Sequence, residues 1–397
     1  MNVLLVEPTG SGHHFILYLR LIILELSKNN YNISLLTTKN AIKEPSFLHI
    51  SQSSKNKINI YFLNEHILKQ PNKIQLLFHQ FNCYLNLKKG FKEASKKQKF
   101  DKIFFLDLDY CDKIISILGS PFGKHEFSCI YVTLSFHRFK IGISNFRFLD
   151  FLYKNIFNRI YKISTLKKIF VIDTTFFFYL KKYNLTNKYK KLVYLPDPVE
   201  ISNNIYNKSN FEAYKSTINK FTILVYGTLN FKKGIKQLLD GLLYNNNLNI
   251  QLLIAGRADL ETDNLINKTI YQSLFSNKQI IYLNRFIIND EEYEIFNSVD
   301  AVWLGYMDDF SGSSGVYYQA SLYGKPVISK ESGYLGWVTR ENSNGVVCNP
   351  LSPSSVNESI MLLFSNKILA FNLGINGLKF SKEHSSNNFQ NLIINNI

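Results

Sequence analysis

Short apolar runs separated by longer amphipathic segments recur along the whole chain, and this alternation restricts its fold more than any other feature. Runs of four to six apolar residues bounded by turn residues are buried strands, and amphipathic segments of ten or more are the helices that cover them. In the first half the expected strands are Val3–Val6, Ile33–Thr37, Ile58–Phe62, Lys102–Leu106, Ile130–Leu134, Lys168–Ile172 and Leu192–Tyr194. A long amphipathic helix is expected from His14 to about Lys28. In the second half the expected strands are Thr222–Tyr226, Ile250–Ile254, Ile280–Leu283, Ala301–Leu304, Pro326–Ser329 and Gly345–Val347. Helices are expected at Gly234–Tyr244, roughly Asp263–Phe275, Asp290–Ser298, Val316–Tyr323 and Pro353–Phe364, with a glycine loop around Gly333.

Pro196-Asp197-Pro198 interrupts the rhythm, and an asparagine-rich stretch follows to about Lys220. The expected organisation is a first domain over 1–198, a linker over 199–220 and a second domain over 221–380, with a C-terminal helix over 381–397 returning to the first domain. The fold class is α/β: two Rossmann-like domains whose parallel sheets face a central cleft. In such sheets ligands sit at the carboxyl ends of the strands.

Charge is distributed unevenly. Residues 1–200 carry 30 Lys+Arg against 14 Asp+Glu, whereas residues 201–397 carry 16 of each. Uniform codon drift would not confine the excess to one half. Lys88, Lys89, Lys92, Lys96, Lys97 and Lys99 form one basic run, and Lys154, Arg159, Lys162, Lys167 and Lys168 form another among Phe151, Tyr153, Phe157 and Tyr161. Basic residues interleaved with aromatics suit an anionic membrane surface, and a solvated lysine-rich face has the same composition. No motif accompanies them that would indicate nucleic acid. Cys83, Cys111, Cys129 and Cys348 lack paired or metal-ligand spacing and read as reduced thiols of a cytoplasmic protein. The start MNVLLVEPTG reads as a strand and turn, not as a signal peptide, and no run approaches the roughly 18 apolar residues of a spanning helix.

Four loops after strands carry the chemistry. Glu7-Pro8-Thr9-Gly10-Ser11-Gly12-His13-His14 follows the first strand with glycines and small hydroxyl residues that allow close backbone approach to a ligand. It is not G-x-G-x-x-G, and no acidic residue closes the second strand, which disfavours a dinucleotide site. Tyr226-Gly227-Thr228-Leu229-Asn230-Phe231-Lys232-Lys233-Gly234 puts two lysines at a helix start, where the helix dipole disfavours them and a bound phosphate would offset that cost. Ala255-Gly256-Arg257 ends another strand. Ser311-Gly312-Ser313-Ser314-Gly315 leads into the helix beginning at Val316, whose unpaired N–H groups form an anion site.

In order along the chain, YGTLNFKKG, LLIAGRAD, DAVWLGY and QASLYGKPVI resemble the C-terminal domain of retaining GT-B glycosyltransferases of family 4, the glycosyl transferases group 1. LVYLPDPVEI resembles the interdomain segment of that family, GSGHHFILYLRLIILEL its glycine loop and first helix, and VTLSFH its strand ending in histidine. The resemblance covers most of residues 221–350, fairly covers 1–40, and extends to 41–190 only in rhythm. It implies catalytic roles for Lys233 and His137, and donor binding by Gly12, Gly227, Arg257, Phe286, Gly312, Ser313, Ser314, Gly315, Val316 and Gln319. His13 would lie on the acceptor side. Three positions depart from the family pattern. Thr228 stands where an arginine is usual, and Ser311 and Gln319 stand where two glutamates are usual. Asp308 or Asp309 could supply a carboxylate and Arg257 the missing cation.

The resemblance therefore implies a hexosyltransferase-type enzyme acting in surface-polysaccharide biosynthesis. It would move a sugar from a UDP- or GDP-type donor to a glycan or lipid-linked acceptor, with retention. No cofactor or metal ion is expected, and the setting would be cytoplasmic, peripheral on the inner face of the plasma membrane. The alternative is a GT-B-like scaffold with a degenerate donor site. Donor sugar, acceptor, linkage and oligomeric state are not encoded in any motif.

Overall fold

The computed structural model describes residues 1–10, 14–43, 47, 50–51, 57–64, 73–132, 134–199, 220–245, 247–307 and 314–397. It divides into two compact units, Met1–Pro198 with Ser386–Ile397, and Val199–Ser385. The first unit contains β1 (Asn2–Val6), α1 (Arg20–Lys28), β2 (Asn32–Thr38), β3 (Asn59–Leu63), α2 (Lys73–Lys97), β4 (Lys102–Phe105) and α3 (Asp112–Leu118). It continues with β5 (Phe127–Tyr131), α4 (Phe148–Tyr161), β6 (Leu166–Val171), α5 (Thr174–Lys182) and β7 (Leu192–Tyr194). The second unit contains β8 (Phe221–Tyr226), α6 (Ile235–Asn245), β9 (Ile250–Ala255), α7 (Leu260–Ile266), α8 (Gln272–Ser276) and β10 (Ile280–Leu283). Then follow α9 (Asn289–Ser298), β11 (Ala301–Leu304), α10 (Gly315–Leu322), β12 (Val327–Lys330), α11 (Gly333–Asn342), β13 (Gly345–Cys348), α12 (Pro353–Ser365) and α13 (Lys367–Glu383). The last helix, α14 (Ser386–Ile394), belongs to the first unit.

Each unit is built on one parallel sheet. The first has the order β3-β2-β1-β4-β5-β6-β7 and the second β10-β9-β8-β11-β12-β13. The central strands read as continuous apolar runs because helices cover both faces. Val3, Leu5, Leu35, Phe104, Ile130 and Phe170 from the first sheet pack with Ile22, Ile23 and Leu26 of α1 and with Phe389 and Ile393 of α14. On one side of the second sheet, Leu224, Leu253, Val302 and Val327 pack with Ile295, Phe296, Tyr317 and Phe380. On the other, Ile223, Leu252 and Trp303 pack with Leu238, Leu242, Val356 and Ile360.

Four expectations change. The helix from His14 begins as a π-helical stretch, His14–Leu19, before α1. β5 ends at Tyr131, so Leu134 and His137 lie beyond the strand. The single helix expected over 263–275 is α7, a 3₁₀ turn at Thr269–Tyr271 and α8. Asp259 caps α7 early by accepting the Thr262 N–H at 2.8 Å, and the Asn267 side chain ends it by donating to the Asp263 carbonyl at 2.9 Å. The glycine loop expected at Gly333 is helix α11. Its Gly336 is a packing residue, since a Cβ there would lie 2.3 Å from the Glu331 carbonyl oxygen.

Candidate functional site

In the second unit the chain steps from β8 to β9 and β10 on one side of the sheet, then crosses back to β11 on the other side of β8. A crevice forms at such a reversal, at the carboxyl ends of the two central strands. Tyr226 ends β8, and Leu304-Gly305-Tyr306 leads out of β11.

Lys233 spans the crevice. Its Nζ donates to the Tyr226 carbonyl at 2.9 Å and to Tyr306 Oη at 2.8 Å, and lies 4.9 Å from the Tyr306 ring centroid. An ammonium has three N–H donors, so one remains for a ligand. The local backbone is locked on both sides. Asn230 caps the turn Phe231–Lys233 by accepting from Lys232 N at 3.2 Å, and the Trp303 indole donates to the Lys233 carbonyl at 2.9 Å. Gly234 has φ +65°, and a Cβ on it would meet the Gly305 carbonyl oxygen at 2.1 Å, so only glycine lets this turn close onto the β11 exit. Lys232 differs from its neighbour: it is exposed, with its ammonium 5.9 Å from the Phe231 ring centroid.

Tyr306 carries the arrangement onward to α10, with 2.9 Å between its Oη and Ser314 Oγ. Ser314 is the residue before α10 and makes no side-chain cap bond. The first N–H groups of the helix, at Gly315 and Val316, are therefore presented at its positive end. A Cβ on Gly227 would stand 3.7 Å from Lys233 Nζ and 3.9 Å from Val316 Cγ2, which places Gly227, Lys233 and Val316 around one point. Gly256 presses on the same loop: with φ +147°, a Cβ on it would lie 1.8 Å from the Gly227 carbonyl oxygen.

One turn into α10, the Gln319 Nε2 donates to both carboxylate oxygens of Glu292 at 3.1 Å, and Tyr226 Oη donates to Glu292 Oε2 at 2.6 Å. Burial raises the Glu292 carboxyl above its ordinary value, opposed by these two hydrogen bonds. A carboxylate thus stands beside Gln319 that the sequence reading missed. The available signal was its place on the apolar stripe of α9, with Ile288, Ile295 and Phe296 at helical spacing. Glu291 on the same stripe is consumed structurally, in a two-pronged pair with Arg285 at 2.6 and 2.7 Å.

Two sequence-predicted residues of this unit sit outside the convergence. Arg257 is exposed at the end of β9, and Phe286, 76% exposed, follows β10 two strands from the crevice. Gly12, His13, Gly312 and Ser313, with Asp308, Asp309 and Ser311, lie outside the described residues. A cavity of about 610 Å³ borders the same turn, between α6 and α7, lined by Asn230, Phe231, Lys236, Thr262 and Met307 among others.

His137 lies in the first unit, beyond the end of β5. It is fully buried among Phe136, Phe176 and Tyr179, with Nε2 2.7 Å from Thr175 Oγ1. Burial pushes its imidazole down to about 4, so it is neutral and enclosed rather than presented to a ligand. Thr175 in turn bonds Asp173, which holds Arg138 at 2.7 Å. His137 therefore belongs to a structural network.

The corresponding reversal in the first sheet, at the ends of β1 and β4, is acidic. Buried Glu7 accepts the Gly10 N–H at 2.7 Å and a hydrogen bond from Thr9, fixing the turn that follows β1. Gly10 has φ +69°, and its Cβ would lie 2.8 Å from both Ala41 Cβ and Thr38 Oγ1. Burial, then Asp109 and Glu7, push the Asp107 carboxyl up to about 8. Among the described residues, no group of three or more His, Cys, Asp or Glu is placed to hold a metal ion.

The family model of glycosyl transferases group 1 matches residues 207–380. The matched stretch holds the second sheet, the lysine turn and the helix start. A comparison with curated proteins returns no match. Solved structures resemble the whole chain in fold. Sucrose-phosphate synthase from Thermosynechococcus elongatus is 13% identical over 99% of this chain and 97% of its own, with a TM-score of 0.67. HepE from Anabaena, in complex with UDP, is 13% identical over 100% and 99%, with a TM-score of 0.63. A glycosyltransferase from Rickettsia africae is 15% identical over 99% and 96%, with a TM-score of 0.61. The two parallel-sheet α/β units, of seven and six strands, are those of the GT-B fold.

Proposed function

We propose that the protein is a retaining glycosyltransferase that uses a nucleoside-diphosphate sugar, with the diphosphate held at the crevice between β8 and β11. The observation that carries this reading is Lys233, tied to the ends of both strands and facing the start of α10. A departing nucleoside diphosphate gains negative charge as the bond from sugar C1 to the phosphate oxygen breaks. A fixed ammonium and helix N–H groups stabilise that charge without reorganising at the moment of reaction. The acceptor hydroxyl oxygen forms the new bond to C1 on the same face, and its proton passes to the departing phosphate oxygen. One feature supplies part of what the family pattern lacks. Glu292, oriented by Tyr226 and Gln319, provides a carboxylate for a ribose hydroxyl. A UDP-type donor is supported by HepE, solved with UDP, with UDP and glucose, and with UDP-glucose. The acceptor is a glycan or lipid-linked hydroxyl in surface-polysaccharide assembly.

Calorimetric titration of the full chain with UDP and GDP, followed by donor turnover, tests this. Saturable binding of one diphosphate, lost in Lys233→Ala, supports the transferase. Binding without turnover in any acceptor mixture favours the scaffold reading, for which the observation is Gln319 and Ser311 in place of the two family glutamates. No binding of either nucleotide would remove the donor site.

A further inference from the structure

We propose that the first unit docks on an anionic bilayer through the amino-terminal halves of α2 and α4. Both helices bury one face in the usual way: Cys83, Leu87 and Phe91 of α2, and Phe157 and Ile160 of α4, are in the core. Their outward faces are abnormal for a surface helix, which carries polar residues there. On α2 the outward stripe begins Phe78, Phe81, Leu85, exposed by 67%, 40% and 45%. On α4 it begins Phe148, Phe151, Leu152, exposed by 73%, 57% and 41%. Each stripe then turns basic, through Lys88, Lys92 and Lys96 on α2 and Lys154 and Arg159 on α4, all exposed.

The two apolar starts lie together. α2 joins β3 to β4 and α4 joins β5 to β6, all parallel strands, so both helices run back along the sheet and begin at its carboxyl end. α3 packs against both, which sets them about 16–20 Å apart. A polar cavity of about 270 Å³, lined by Asp112, Lys113, Arg147 and Tyr153 among others, lies between the starts of α3 and α4.

Apolar side chains flanked by lysine and arginine fit a surface with anionic head groups above acyl chains. A second copy of the chain would bring like charge against like, which the basic excess of residues 1–200 opposes. Among the described residues no single helix is long and apolar enough to cross a membrane. The bent pair α12 and α13 reaches that composition only jointly, and buries Val356, Ile360, Leu363, Leu373 and Phe380 in the core. Interfacial docking accounts for the exposed phenylalanines without a span. That the cavity receives the head group of a lipid-linked acceptor rests on the transferase reading; the docking does not.

The test is co-sedimentation of the full chain with phosphatidylglycerol and phosphatidylcholine vesicles, at low salt and at about 1 M salt. The expected result is binding to phosphatidylglycerol, weakened by salt. The Phe148→Ser/Phe151→Ser variant should bind about tenfold or more weakly. Phe371→Ser, equally exposed on α13 at 68%, should bind as the parent does. UDP titration of the same variants should be unchanged, so that failure of docking and failure of the donor site are read separately. Absence of binding to phosphatidylglycerol at low salt would overturn the proposal, as would undiminished binding by the Phe148→Ser/Phe151→Ser variant. So would a dimer in sedimentation that this variant dissolves, since the stripe would then serve a second copy.

Discussion

The two sheets share an order and reverse at the same place, yet their crevices carry opposite chemistry. At β8 and β11 the side chains that converge are Lys233, Tyr306 and Ser314, facing a helix start. At β1 and β4 they are Glu7, Asp107 and Asp109. The net charges run the other way, since the unit with the acidic crevice belongs to the half of the chain with the whole basic excess. That excess sits on outward helices such as α2 and α4, where it meets other surfaces rather than a bound ligand. Topology therefore chooses where a ligand can sit, and the few residues at the strand ends choose its charge. Net charge reports on neither.

Substitutions can break this contrast. The largest effect is expected for Lys233→Ala, which should lower kcat/KM for the donor by about 10²–10³, while Asp107→Asn leaves donor affinity unchanged. Steady-state kinetics and UDP titration of both variants would check this, and equal losses would erase the distinction between the crevices. Next is Gly256→Ala, whose Cβ would collide with the Gly227 carbonyl at 1.8 Å. It should destabilise the second unit by about 3 kcal/mol, measured by urea unfolding, and Gly10→Ala should destabilise the first unit by less, because its nearest contacts are at 2.8 Å. Glu292→Ala removes the acceptor of both the Tyr226 hydroxyl and the Gln319 amide. UDP affinity should fall by about 1–2 kcal/mol, with Glu292→Gln intermediate. UDP affinity unchanged by Glu292→Ala would leave Glu292 a purely structural group.

The smallest effect is on pH dependence and belongs to the acidic crevice. Asp107 titrates at about 8 in the folded chain and near its ordinary 3.8 when unfolded, so the folded state holds the extra proton between them. Stability should therefore fall as pH rises through that window. His137 acts oppositely, with stability lost as pH falls from 6.5 toward about 4. The two offset each other below 6.5, which leaves a decline from 6.5 to 8 that Asp107→Asn should flatten in thermal melts.

Much of this molecule was legible before any coordinates. All thirteen strands of the described residues lie at the expected apolar runs, with ends shifted by three residues at most, because a strand covered on both faces announces itself by continuous hydrophobicity. Gly227, Lys233 and Val316 were legible as a group because glycine, lysine and a helix start directly after strands have few other uses. Gly333 and Gly336 misled for the complementary reason. A glycine that ends a helix and one that lets a helix pack closely look alike in sequence.

By itself, then, the sequence determined two parallel α/β units, a lysine-bearing turn after β8 and a basic first half. Only the tertiary structure decided which residues meet. Tyr306 joins Lys233 to Ser314 because β11 lies beside β8, although 73 residues separate Lys233 from Tyr306. Glu292 meets Gln319 because α9 and α10 pack into one core. His137, a candidate ligand by position, became a core residue once Phe176 and Tyr179 closed over it. Local pattern fixes an element through its own hydrogen bonds and periodicity. Proximity across a sheet depends on strand order, and burial depends on what packs on top, and neither is written at any single position.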